Sequence, residues 1–550
     1  MKTYNAEELE KVLLEKIGAK DELTLKEWEK DPCIEDPEMV KKFWDLVKKA
    51  PGVGIVGDYD CDGITASYIM GKAVSTVCPG KKMVIRIPRR FSEGYGINET
   101  IRAELNEKLP KGSVIITVDN GVAAGKVLEG LESDGYVVLM TDHHDAKADV
   151  PLPKVTFAVN PAVPELSKGF SFKGWCGAAV AYKLCEQVIP GSLRDELEVY
   201  AGLATVADCM VLKGANWGIV RRSIEAFREG KGPKPLAAML TAMKQDPLFA
   251  NEDSFGYYLG PCFNAAGRLE DAGASLVLKY LFAPSREGLD RLVALNDKRK
   301  ELRDAEYELV KAKIAEEGSE NSCPIYVHVP GLHEGIVGIL AGKVAEDYKV
   351  PALVCTTKEN NPDMYVGSAR SYGDFNIFEY MSGITDLFDR WGGHPGAAGF
   401  SLTAENFEKA RLVQEEKPAE ELGEDMKWEI SKEAIPAIDE KLGAFRPFGE
   451  GNPAPVFEVP LSAGERGTSY MGKELVDESG NVIKDDFGDP IKPHLCIRGE
   501  DSQGRKFKIT HFGHYPELLG VPNFKFIGKI TGTSYLGVET PTFNTDEVER

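Results

Sequence analysis

The sequence predicts an α/β protein with a parallel sheet at its centre, a smaller α/β lobe beyond a long helix, and a small β-barrel after that. Three observations predict it. Apolar β-type runs alternate with helical segments between residues 53 and 159, the alternation resumes between about 323 and 404, and from about 445 the chain breaks into short segments of alternating polarity. Continuous apolar strands separated by helices mean a parallel sheet covered on both faces, whereas short alternating runs suit an antiparallel barrel. One core rarely grows past ~250–300 residues, so 550 residues require several domains.

Residues 1–50 read as an N-terminal helical extension. Asp36-Pro37 supplies an N-cap followed by proline at the first helical position, and Met39, Val40, Phe43, Trp44 and Val47 form an apolar stripe. Residues 51–284 form the first α/β lobe. Its expected strands are Val53 to Val56, Val114 to Val118, Tyr136 to Met140 and Thr156 to Val159, its helices run from Ile64 to Val77 and Ala123 to Ser133, and the part beyond 177 is mainly helical. Residues 285–320 are a charged connecting helix, with Leu292, Leu295, Leu302, Leu309 and Val310 in partial helical spacing. Residues 321–404 are the second α/β lobe, opening with the strand Ile325 to Val329. Residues 405–444 are an acidic linker, since Glu405 to Glu429 holds nine acidic and four basic residues. Residues 445–550 are the barrel, with segments such as His494 to Ile497 and Lys506 to Phe512.

Apolar content of 43% and charged content of 28% are those of a globular protein. No apolar run reaches the ~18 residues of a membrane span, and the acidic start Met1 to Glu8 has no apolar segment of secretory type. A cytoplasmic location is therefore expected. The ten cysteines form no Cys-x-x-Cys pair, which argues for reduced buried thiols over a disulfide frame or zinc site. A net charge of −21 disfavours nucleic acid at first sight, but phosphate binding depends on local patches. Lys81 to Arg90 is one such patch, although a basic run is more often a solvated face.

Four short motifs carry the chemistry: Asp58-Tyr59-Asp60-Cys61-Asp62-Gly63, Asp119-Asn120, Asp142-His143-His144 and Ala207-Asp208. The first three follow apolar β-type runs and the fourth closes an apolar helical run. Ligands of parallel sheets sit beyond the carboxyl ends of the strands, which is where Asp58, Asp119 and Asp142 fall. Asp58, Asp60 and Asp62 repel one another too strongly to sit close together without a cation. An isolated calcium loop is the plain alternative, but the downstream glutamate of an EF-hand is missing. His143 and His144 shift the balance, one imidazole suiting a metal and its neighbour facing substrate. Asp208 at a helix C-terminus opposes the helix dipole, an objection that a cation removes. Carboxylates with imidazole favour two Mn2+ ions, admit Mg2+, and point to phosphodiester hydrolysis.

On these residues the sequence resembles the DHH phosphoesterase superfamily, and within it the branch of single-strand-specific exonucleases. Asp142-His143-His144 is the superfamily's namesake triplet. The resemblance extends from about residue 50 to 460 through Phe91 to Gly96, Cys176 to Ala178, Gly260 to Leu269, His333 to Gly338, Gly367 to Ser371, Gly392 to Gly399 and Pro447 to Pro453. It implies a DHH lobe carrying the metals, a DHH-associated lobe holding the strand, and an OB-like final barrel. It implies a metal centre of Asp60, Asp62, Asp119, His143 and Asp208, with Asp58 close by and His144 beside the scissile phosphate. It brings Ser368, Arg370 and His394 to the substrate. Arg370 suits a bidentate grip on phosphate, and glycines such as Gly393 let backbone N–H groups approach phosphate or simply make a tight turn. Arg90, from the basic run, completes the expected contacts. Asn264 and Arg268 either contact DNA or join the lobes. In the barrel Phe507, Phe512, Phe524, Phe526 and Tyr535 stack bases or fill the core, core being the better reading for most. Lys506, Lys508, Lys525 and Lys529 are interleaved with them as a strand-tracking groove requires. Cys61, Cys262 and Trp217 depart from the family's usual alanine, arginine and arginine, which bears on strand affinity rather than on metal chemistry.

The implied function is a 5′-to-3′ exonuclease on single-stranded DNA that releases nucleoside 5′-monophosphates in repair or recombination, alongside a single-strand-binding protein or a helicase and without a membrane. The alternative is a phosphodiesterase of short oligonucleotides or cyclic dinucleotides, which the segment beyond 445 disfavours. A non-catalytic nucleic-acid scaffold comes third, because every ligand position is filled.

Overall fold

The computed structural model describes the chain apart from residues 1, 31–33, 35, 147–149, 168, 359–360, 419–425, 463–466, 473, 477–480, 483, 485–489, 491, 493, 512–520, 536–537 and 550. It forms two compact units, residues 1–264 with 274–289 and 424–550, and residues 265–273 with 290–423.

The first unit begins with strand β1 (Lys2–Thr3) and three helices, the third being Pro37–Lys49. That helix starts as the sequence predicts, with the Asp36 side chain accepting from Met39 N–H, and it buries Val40, Phe43, Trp44 and Val47. Trp44 Nε1 donates to Leu184 O at 2.6 Å, fastening the N-terminal extension to the helix Gly177–Cys185. Strands β2 (Gly52–Val56), β3 (Lys82–Arg86), β4 (Val114–Thr117), β5 (Val137–Thr141) and β6 (Phe157–Val159) make a five-stranded sheet in the order β3-β2-β4-β5-β6. All its pairings are parallel. The chain leaves β2 for β3 on one side and β4 on the other, so the loops after β2 and β4 open a crevice at the carboxyl edge.

The basic run differs from a simple solvated face. Residues 82–86 are the edge strand β3, where charge discourages pairing with another chain. Arg86 is held by Glu93 at 2.5 Å and Glu104 at 2.7 Å, so its charge is used inside the protein.

The helix Arg286–Glu317 runs from the first unit into the second. The second unit then adds β7 (Ile325–His328), the helix Val337–Tyr348, β8 (Ala352–Lys358), β9 (Asn361–Arg370), β10 (Arg390–His394) and β11 (Ala397–Thr403). The sheet order is β10-β11-β9-β8-β7, parallel between β7 and β8 and antiparallel elsewhere. The glycine cluster is a hairpin, with Gly392 paired to Gly399 and Gly393 to Ala398. A Cβ at Gly393 would lie 2.5 Å from Ala398 Cα, so close strand packing is what requires glycine there.

The remaining strands return to the first unit: β12 (Lys427–Glu429), β13 (Val456–Ser462), β14 (Thr468–Met471), β15 (His494–Glu500), β16 (Lys506–His511), β17 (Asn523–Tyr535) and β18 (Val538–Glu549). With β1 they form an eight-stranded sheet, β1-β12-β13-β17-β18-β16-β15-β14, consistent with an OB-like domain. It is not antiparallel throughout, since β1 joins β12, β12 joins β13 and β16 joins β18 in parallel. Phe507, Phe524 and Phe526 are buried in its core, while Phe512 and the side chain of Tyr535 lie outside the described residues. Trp217 is buried and its Nε1 donates to Phe445 O at 3.1 Å, so this departure from the family pattern anchors the chain leading to the sheet. Among the described residues no helix is long and apolar enough to cross a membrane.

Candidate metal centre

The loops after β2, β4 and β5 and the end of the helix Gly191–Ala207 supply one cluster within the first unit. Asp60 caps the helix Cys61–Val77, its Oδ1 accepting from Gly63 N–H at 3.0 Å. Asp62 sits in the first turn of that helix and turns inward. Its two oxygens accept from Gly177 N–H and Ala178 N–H, each at 2.7 Å. Those amides open the helix Gly177–Cys185, whose N-terminus favours an anion. Asp119 has φ 60°, a left-handed conformation that aspartate tolerates better than most residues. A Cβ at Gly177 would lie 2.5 Å from Asp119 Cβ, so glycine at 177 makes room for Asp119. Asp208 is the C-cap of Gly191–Ala207.

His143 is the hub. Its Nε2 lies 3.1 Å from Asp119 Oδ1, 3.5 Å from Asp62 Oδ2 and 3.6 Å from Asp208 Oδ2. Two sets of donor atoms, Asp62–His143–Asp208 and Asp119–His143–His144, each fall within 4.8 Å of one another. His144 Nδ1 is 2.8 Å from Asp142 Oδ1, and Asp142 is fixed by Val122 N–H and His143 N–H, both at 2.8 Å. Sequence reasoning missed Asp142 as the residue that orients His144; its place at the end of a buried strand was the available signal. Asp58 is buried with Oδ1 accepting from Gly96 N–H at 3.1 Å. Asp58 Oδ2 and Asp119 Oδ1 accept no hydrogen bond among the described residues.

The electrostatics follow from this crowding. Burial, then Asp60, pushes Asp58 well above the usual carboxylate range. Burial, then Asp62, Asp60 and Asp208, does the same to Asp119. Asp208 is pushed up to about 8 by burial and then by Asp62 and Asp60. Burial alone would lower His144, but its hydrogen bond to Asp142 and the surrounding carboxylates raise it to about 9 in the absence of metal. A carboxyl with a raised folded pKa stabilises the fold fully below its unfolded pKa of ~4 and loses that contribution as pH rises through the folded value. Without a cation the cluster therefore weighs against the fold near pH 8. Hard oxygens, imidazole, orphaned carboxylate atoms and mutual repulsion together fit divalent ions.

The other expected site residues lie as follows. The Arg90 guanidinium stacks 4.7 Å over the Tyr59 ring. Asn264 Oδ1 accepts from Cys61 N–H at 2.7 Å, which buttresses the helix start carrying Asp60 and Asp62. Cys61 and Cys262 are buried. Arg268, in the second unit, donates from Nη1 to Gly335 O at 3.2 Å. Ser368 and Arg370 share one face of β9, and Arg370 Nη1 donates to Ser368 Oγ at 2.6 Å and to Ala369 O at 2.8 Å. A Cβ at Gly338 would lie 2.8 Å from Arg370 Nη2, so that glycine leaves the guanidinium its space. Gly393 lies in β10, and His394 ends that strand, exposed.

Residues 52–212 match the DHH family, N-terminal domain, and residues 322–416 match the DHHA1 domain. The single-stranded-DNA-specific exonuclease RecJ of Bacillus subtilis (strain 168) is 32% identical over 446 residues, covering 78% of this chain. The same-named exonuclease of Dickeya dadantii (strain 3937) is 28% identical over 438 residues, covering 74% of each. RecJ from Thermus thermophilus, solved in complex with Mn2+, superposes over 100% of this chain and 79% of its own with a TM-score of 0.71 at 20% identity. Its complex with Mg2+ gives a TM-score of 0.65 at 19% identity, over 100% of this chain and 78% of its own. At such identity the likeness is one of fold. The chain spans 55% of the length of the Bacillus subtilis relative.

Proposed function

We propose that the chain, which carries the matches to the DHH family N-terminal domain and the DHHA1 domain, is a metal-dependent exonuclease of the RecJ type. It digests single-stranded DNA from the 5′ end and releases nucleoside 5′-monophosphates. In this reading residues 51–284 cut, residues 321–404 hold the strand, and residues 445–550 add nucleic-acid affinity. The observation that carries it is the convergence of Asp62, Asp119 and Asp208 on His143 Nε2, all within 3.6 Å.

Asp62, Asp119, His143 and Asp208 would hold two divalent ions, with Asp60 and Asp58 adjacent; Mn2+ suits this donor set and Mg2+ is admitted by it. When bound, the ions neutralise charge on the scissile phosphate and provide a nucleophile at neutral pH. The residues do the rest. The two amides on Asp62 hold that carboxylate in one orientation. His144, oriented by Asp142, would present a proton toward the phosphate or its leaving oxygen. In the second unit Arg370, steadied by Ser368, would offer a planar fork to phosphate, with Arg268, Gly393 and His394 as further strand contacts of that unit, while Arg90 would be a strand contact of the first unit. The cellular setting in this reading is cytoplasmic repair or recombination, where a helicase or single-strand-binding protein presents the strand.

Digestion of 5′- and 3′-labelled single strands with Mn2+, Mg2+ or chelator tests this. Labelled mononucleotide should appear at once from the 5′ label and only late from the 3′ label, and nothing should appear in chelator. Cleavage of dinucleotides far faster than of 30-mers would instead favour the short-substrate phosphodiesterase.

A further inference from the structure

We propose that Tyr95 is a positioning residue of this centre, its hydroxyl tying the backbone of Asp119 to the imidazole of His144. The proposal rests on the exonuclease reading of the same site. The side chain is divided between two environments. It is 49% exposed overall, yet its hydroxyl donates to Asp119 O at 3.0 Å and lies 3.2 and 3.3 Å from the two ring nitrogens of His144. Its ring meets His144 edge-on at 5.6 Å and Tyr59 edge-on at 6.3 Å, and Arg90 lies over the Tyr59 ring.

The backbone explains how an exposed residue reaches inward. Gly94 and Gly96 flank Tyr95 with φ of 81° and 63°, a left-handed pair that turns the chain sharply on both sides of one side chain. The same turn offers Gly96 N–H to Asp58 Oδ1, so it fastens two parts of the carboxylate cluster at once.

Both groups that the hydroxyl touches need holding. Asp119 has φ 60°, a conformation that persists only when its surroundings over-determine it. Its carbonyl is tied by Tyr95 while its carboxylate faces His143. His144 is bound through Nδ1 to Asp142 and packs on His143 with ring centroids 4.3 Å apart, and the Tyr95 contact adds a further restraint on the ring. Nδ1 faces Asp142, the Tyr95 oxygen rests against the same ring at 3.2 and 3.3 Å from its two nitrogens, and the Tyr95 O–H goes on to the Asp119 carbonyl. Tyr95 is thus the link between the His144 imidazole and the backbone that aims a metal ligand.

The test uses the full chain and two variants. Tyr95→Phe removes the hydroxyl and keeps the ring; Tyr95→Leu removes both. Tyr95→Phe should lower kcat on a single-stranded oligonucleotide by about 10- to 100-fold and weaken calorimetric Mn2+ binding by about 10-fold. Its KM and its DNA affinity in chelator should stay within about twofold of wild type, and Tyr95→Leu should add a rise in KM. Wild-type kcat and Mn2+ affinity in Tyr95→Phe overturn the proposal, as does a raised KM at unchanged kcat, which would make the hydroxyl a DNA contact. If the wild type cleaves nothing, the exonuclease reading fails, while equal Mn2+ affinities of wild type and Tyr95→Phe separately refute the positioning role.

Discussion

Replacing Asp119 by Asn is expected to lower Mn2+-dependent cleavage by roughly 10³-fold or more, since loss of an outer-sphere partner alone costs ~10–100-fold and a direct ligand does more. DNA binding in chelator should persist. Asparagine keeps the shape and accepts the left-handed backbone at φ 60°, so the change removes charge and little else. The Asp119 carboxylate is 3.1 Å from His143 Nε2 and belongs to a donor set with His143 and His144. Its removal disables that set and leaves Asp62, His143 and Asp208. A second consequence separates loss of metal from loss of fold. In chelator, Asp119→Asn should melt higher than wild type, because one of several mutually repelling buried carboxylates is gone. Cleavage kept above about a tenth of wild type would remove Asp119 from the metal centre.

Gly177→Ala is the second large effect. The new Cβ would lie 2.5 Å from Asp119 Cβ, 2.7 Å from its Oδ1 and 2.8 Å from its Cα. One of those atoms is backbone, so a rotamer change cannot relieve the clash. Gly177 N–H is also one of the two donors to Asp62, so the displacement reaches two candidate ligands through one methyl group. Overpacking of this kind costs about 1–3 kcal/mol, and cleavage should fall by roughly 100-fold. Gly383→Ala is the control, because nothing lies within 4 Å of a Cβ there; it should match wild type in melting temperature and cleavage.

The central sheet was legible in the sequence because β2, β4 and β5 are buried on both faces, which forces uninterrupted apolar runs. β3 was hidden because an edge strand can carry Lys82 and Arg86, and a strand with charge at two of its five residues reads as a surface patch. The β10–β11 hairpin was hidden because Gly392, Gly393 and Gly399 have no side chains to alternate, so its register depends on the neighbouring β9. Two residues of β1 can be recognised as strand only once β12 lies beside them.

The candidate site divides the same way. Asp58, Asp119, Asp142 and Asp208 stand next to recognisable strand or helix ends, so their types and places pointed to a metal. Asp60 also carried a readable capping signal, although the helix was expected to begin nearer Ile64. The amides of Gly177 and Ala178 that fix Asp62 left no trace, because backbone donors have no residue code. Tyr95 stood in a segment that the resemblance singled out, but only the positive φ angles of Gly94 and Gly96 reveal where its hydroxyl goes.

The most direct measurement is the melting temperature of the full chain in chelator and in Mn2+, at about pH 6 and about pH 8.5. Asp208 is raised to about 8 and His144 to about 9, and both shifts take stability away as pH rises. The chelated protein should therefore melt lower at the higher pH, and Mn2+ should raise the melting temperature at both, by more at the higher one. No gain from Mn2+, or a gain that is larger at the lower pH, would contradict the claim that this cluster of carboxylates exists to hold divalent ions.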